Sequence, residues 1–176
     1  MSKEGWIPIT TVTGSGNPAS IDITSIPSTY AHLCLIGNMA STRATALEQF
    51  TIQLGSPSID TGSNYQWQRL GMTNNTTVSG WRNTGQSAMY LLDSLGTTVS
   101  TTSNPMVECM IFGYADTNRY TNIWAKGGYA EGSTYGSSKL WVGTWGDASA
   151  VSALRVTAGS GNFTTASRLT LYGFKA

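Results

Sequence analysis

Charge is the first thing this chain is short of. Lys, Arg, Asp and Glu together make up 11% of its residues, well under the roughly 25% of ordinary soluble domains. The ten basic residues are scattered singly and the net charge is +1. Nucleic acid and anionic membrane both call for clustered Lys and Arg, so neither has an electrostatic case here. One histidine, His32, and two cysteines, Cys34 and Cys109, cannot complete a four-ligand zinc site. The nine carboxylates never cluster as a calcium loop requires. There is no Gly-x-Ser-x-Gly elbow, and no apolar run approaches the roughly 20 residues of a membrane helix. No apolar leader follows Met1-Ser2-Lys3-Glu4-Gly5, which implies a chain made and folded in a cytoplasm, whatever its later destination. The expectation is no catalytic residue, no cofactor and no metal.

What is present is β-sequence. Ser, Thr, Asn, Gln and 20 glycines supply the polarity. Leu33 to Ile36, closed by Gly37-Asn38, is too short for a helix and reads as a strand in the middle of a sheet. Leu169 to Phe174 is its expected neighbour, and Met106 to Phe112 joins the same sheet. Gly5 to Val12 carries Pro8, which confines it to an edge or a strand start. Phe50-Thr51-Ile52-Gln53-Leu54 alternates cleanly, and further short strands are expected at 65–70, 78–81, 88–92, 120–125, 139–145 and 150–156. Asp116 to Arg119 reads as a hairpin turn, Gly127 to Ser138 as a glycine- and tyrosine-rich loop, and Gly96 to Asn104 as a polar loop. The one passable helical stretch, Ala44 to Gln49, is too short and uncapped to be more than a turn. This predicts one all-β domain over residues 1–176 with a short N-terminal arm, an antiparallel β-sandwich of the jelly-roll kind with eight to ten strands.

Individual side chains sharpen the expectation. His32 shares an alternating strand face with Tyr30 and Cys34, away from any nucleophile, so a hydrogen-bonded structural role is expected. Both cysteines lie in apolar runs and read as buried free thiols, with a cross-strand disulfide as the alternative. Glu108 is the acid set within a strongly apolar run. A carboxylate pair for glycoside hydrolysis would have to use it, whereas an open strand face or a salt bridge to an arginine explains it more cheaply. The Asn-x-Thr sequons at Asn74, Asn75 and Asn162 mean little without a secretory signal. Tyr65, Trp67, Trp81, Tyr129, Tyr135, Trp141 and Trp145 lie in or beside Gly/Ser/Asn-rich stretches and form the candidate interface or ligand surface. They serve three readings: caps on the core, subunit contacts, or a sugar-binding face.

Several segments, in order, resemble a recurring phage virion domain of the jelly-roll type. They are Ile23 through Ile26-Pro27, Tyr30 and Leu33; Tyr114 through Asn118-Arg119-Tyr120; Gly143-Thr144-Trp145 followed by Val151 to Val156; and Phe163 through Ser167 to the Leu171-Tyr172-Gly173 ending. The family often carries Asn-Gly-Asp ahead of the segment matched by Gly62-Ser63-Asn64-Tyr65, whereas Leu54-Gly55-Ser56-Pro57 stands there in this chain. The resemblance implies a non-enzymatic virion structural protein located in the virion. A capsid decoration or cement protein, free-standing because no shaft sequence accompanies it, is the leading expectation. A receptor- or glycan-binding tail-fibre knob is the alternative, and a small glycan-degrading β-protein the second. It also implies a homotrimer partnered by the major capsid protein or other virion proteins, or by a host surface glycan. Under that reading Trp81 and Trp141 anchor the trimer.

Overall fold

The computed structural model describes residues 5–45, 47–74, 76–97, 105–131 and 135–175. The described chain is all β, with strands β1 (Trp6–Thr13), β2 (Ser20–Ile23), β3 (His32–Asn38), β4 (Leu47–Gly55), β5 (Tyr65–Thr73), β6 (Ser79–Gln86), β7 (Met89–Leu95), β8 (Met106–Phe112), β9 (Thr121–Glu131), β10 (Tyr135–Trp145), β11 (Ala153–Ala158) and β12 (Arg168–Phe174). Every pairing is antiparallel. An eight-stranded sheet runs β1-β12-β3-β8-β9-β10-β5-β6, and a four-stranded sheet runs β2-β11-β4-β7. Together they make a β-sandwich around one continuous apolar core drawn from both sheets.

The central assignment holds. β3 pairs with β12 on one side and β8 on the other. Leu33 and Leu35 are fully buried beside Leu169, Leu171 and Ile111. Pro8 sits on the outermost strand, opposite Tyr172, with a bulge immediately after it, as its missing N–H demands. The turn after β8 is stitched by the Asp116 N–H to the Gly113 carbonyl (3.0 Å) and by the Asn118 N–H to Asp116 Oδ1 (2.8 Å).

The strand count exceeds the eight to ten expected, since the described residues form 12. The stretch from Gly127 to Ser138 also departs from expectation: β9 and β10 run on to Glu131 and from Tyr135, lengthening two expected strands across most of the expected loop. Its glycines are there for closeness. A Cβ on Gly127 would stand 2.6 Å from Leu92 of the opposite sheet, and one on Gly128 would stand 2.1 Å from the Ser137 carbonyl oxygen. A Cβ on Gly143 would likewise stand 2.7 Å from Met89 Sδ. The second sheet therefore comes down on a bare floor. The stretch expected as a turn, Ala44 to Gln49, enters β4 at Leu47, with Ala46 outside the described residues. What was expected as an arm is strand from Trp6 on, and residues 1–4, like most of the expected 96–104 loop, lie outside the described set.

Cys34 and Cys109 are buried and free. Cys34 stands opposite Met110 while Cys109 stands opposite Leu35, so the two thiols point to opposite faces of the sheet. Neighbouring strands thus hold them without letting them pair.

Candidate functional site

Most of the aromatic candidates are interior. Tyr65, Trp67, Trp141 and Trp145 are buried, and so is Tyr129. They lie in β5, β9 and β10, not in loops. Period-two alternation explains the correction: Tyr65, Trp67, Trp141 and Trp145 turn inward, and Gln66, Gln68, Val142 and Thr144 turn out. The Tyr65 hydroxyl accepts from the Leu54 N–H at 2.7 Å, and the Trp67 ring meets Tyr90 edge-on at 4.9 Å. Trp145 Nε1 donates to Asp60 Oδ2 at 2.7 Å. Asp60 also accepts from the Gly62 N–H and Asn64 Nδ2, both at 2.8 Å. Burial alone would raise the Asp60 pKa, but these donors together hold it below its ordinary value. The side chain of Tyr135, at the start of β10, is outside the described set.

Trp81 is different, at 60% exposed. It ends an inward-facing cross-strand row that begins Leu171, Leu35, Cys109, Ala125 and Trp141 and passes through Arg69. The eight-stranded sheet is wider than the four-stranded one, whose edge strand β7 packs on β9 and β10. β6 therefore overhangs, and Trp81 is left largely exposed.

The unexpected feature is the other face of the large sheet. Register alone defines its rows. One runs Tyr172, Cys34, Met110, Trp124, Val142, Gln68 and Arg82. The next runs Thr170, Ile36, Glu108, Lys126, Leu140 and Leu70. On the other flank the row runs Trp6, Phe174, His32, Phe112, Asn122, Thr144 and Gln66. No described segment covers this face, and Val142, Leu70, Met106 and Trp6 stand 53%, 54%, 68% and 45% exposed. A solvent-facing antiparallel sheet ordinarily turns polar residues outward. This one does not.

Two of the charges on that face form a pair. Glu108 Oε2 lies 3.0 Å from Lys126 Nζ, directly across the β8–β9 pair. The partner is a lysine where an arginine was expected, and Lys126 also lies 5.3 Å over the Trp124 ring. His32 accepts a hydrogen bond at Nδ1 from the Gly113 N–H (3.2 Å) and meets Phe112 edge-on at 5.2 Å, as a structural histidine would. Burial, and then the Glu108 charge, push the Cys34 thiol up to about 12, which leaves it inert as a nucleophile. At the end of this face an open groove of about 830 Å³ runs across β10, β5 and β6, with Gln66, Gln68, Arg82 and Val142 along it and Trp81 at its β6 side.

A second charged pair sits within the sandwich. Lys139 of β10 meets Asp93 of β7, both side chains nearly inaccessible. Burial, and then the Arg69 charge, lower the Lys139 pKa, while the Asp93 carboxylate in contact favours the charged form. No group of three or more His, Cys, Asp or Glu able to hold a metal occurs among the described residues. No family model matches this chain, and no curated protein or solved structure does either.

Proposed function

We propose that this chain is a non-enzymatic virion structural protein, a capsid decoration or cement component that acts through its surfaces. The observation that carries the reading is the apolar patch on the outer face of the eight-stranded sheet, which no described segment covers. Such a face is suited to packing against protein, because groups without formal charge are cheaper to desolvate than ions. The motifs behind the virion resemblance also meet in space. The Tyr114 hydroxyl donates to the Pro27 carbonyl and accepts from the Tyr30 N–H at 3.2 Å. The Tyr114 carbonyl takes the Val151 N–H at 2.7 Å. The capsid lattice, through its major protein, is the proposed partner, and the virion the proposed location. The test is to add purified protein to heads stripped of it. Re-binding with raised heat resistance supports the reading, and failure to bind heads removes it.

The groove supplies a second reading, a glycan-binding knob. Gln66, Gln68 and Arg82 offer hydrogen bonds beside the apolar Val142 and Leu70, a pairing of polar groups and apolar surface that suits sugars. Binding to host cells or their glycans without binding to heads would favour it.

A further inference from the structure

The strands at the middle of the large sheet are apolar on both sides. Met106, Met110 and Phe112 alternate with Val107, Cys109 and Ile111 in β8, and Cys34 and Ile36 alternate with Leu33 and Leu35 in β3. Near-continuous apolar strands belong to sheets covered on both faces, yet here one face is bare. We propose that the outer face of the eight-stranded sheet is covered by the same face of a second copy of this chain, in a two-fold dimer.

Area and charge both point to a second copy. Strands about 4.8 Å apart and residues about 3.3 Å apart give the face an extent of roughly 35 by 23 Å, or about 800 Å². That is about what each partner contributes to a stable interface. The sheet order puts the midline of the face between β8 and β9, and the Glu108–Lys126 pair straddles that midline in direct register. A two-fold axis laid along the strands there brings β9 of one copy over β8 of the other. Glu108 then faces the second copy's Lys126, and Lys126 the second copy's Glu108, so the charges nearest the axis complement their own images. The same operation sets Ile36 over the second copy's Leu140 and Met110 over its Trp124. It also sets the long, exposed Met106 over Gly128, which has no side chain to obstruct it. Two sheets stacked this way pack about 10 Å apart with side chains interdigitated. The pairing is isologous, as two-fold interfaces are; it gives this face to a second copy and leaves any capsid contact to the dimer's other surfaces, so the two readings fail separately.

Light scattering on the purified chain should return twice its 18.7 kDa mass. Glu108→Lys and Lys126→Glu, each made alone, place four like charges at the axis and should weaken the dimer by about 100-fold or more. Both positions are at the surface, so each variant should keep the β-sheet circular dichroism spectrum. Mixed in equal amounts, the two variants should recover a dimer, because one copy then brings only lysines and the other only glutamates. Recovery on mixing requires the two sites to face each other across copies, which an intrachain pair cannot mimic. A monomeric wild type overturns the proposal, whether or not it binds heads or another protein. A dimer or trimer that ignores either single substitution, or variants that stay monomeric when mixed, overturns it as well.

Discussion

The ring of Tyr30 lies flat on the bare backbone of Gly173. A Cβ at Gly173 would stand 2.3 Å from the ring's Cγ, closer than any carbon pair tolerates. Gly173→Ala should force the ring out and cost about 1–3 kcal/mol, as overpacking does. A lower urea midpoint with an unchanged slope checks it. A midpoint equal to wild type would show that Tyr30 moves away at no cost.

Trp81 and Trp141 should separate cleanly. Trp141 is 1% exposed and Trp81 60%. Trp141→Ala should lose about 3–5 kcal/mol through the cavity it leaves, and Trp81→Ala less than about 0.5 kcal/mol, as for ordinary surface positions. Chemical denaturation of both variants is the measurement, and comparable losses would contradict the overhang of β6.

The buried Lys139–Asp93 pair should behave asymmetrically. Asp93→Ala leaves a buried ammonium without its partner and should cost about 3–5 kcal/mol. The double variant Lys139→Met/Asp93→Leu removes both charges and should recover most of that loss. A double variant as weak as the single one would mean that shape, not charge, sets the penalty.

Asp60 should mark the acid limit of the loop before β5. Its folded pKa is depressed from the ordinary 3.8, so its contribution is fully present above that value and fades as pH falls through the lower folded one. The stability gap between wild type and Asp60→Asn should therefore stay constant from neutral pH to about 4.5 and close below about 3.8. Urea midpoints across that range test it, and a gap already closing at pH 6 would refute the depressed value.

How far the chain could be read from its residues depended on what each signal reports. The apolar runs around Leu33, Cys109 and Leu171 announce central strands because burial itself selects them, and their mutual pairing was legible. Pro8 announced an edge because its backbone chemistry is local. Gly127 and Gly128 misled, because glycine marks a turn and a close approach with the same letter. The inward aromatics misled because their outward neighbours are Gln, Thr and Gly. The i, i+2 spacing of Tyr65-Gln66-Trp67-Gln68 carried the answer. The outer face was the hardest to foresee. Its rows join residues more than a hundred positions apart, such as Tyr172 and Cys34, and exist only once the register is known. The clue available was the two-sided apolarity of β3 and β8.

The overhang of β6 has a consequence for motion. Most of its residues are exposed, and among the described strands only β5 pairs with it, along one edge. Amides on such a strand can open to solvent without disturbing the sandwich, so their exchange reports a local event far cheaper than global unfolding. The large sheet should thus show a slow-exchanging middle around β3 and β8 and a fast-exchanging wing at β6, and whatever engages that wing must supply the ordering that the four-stranded sheet, ending at β7, does not provide.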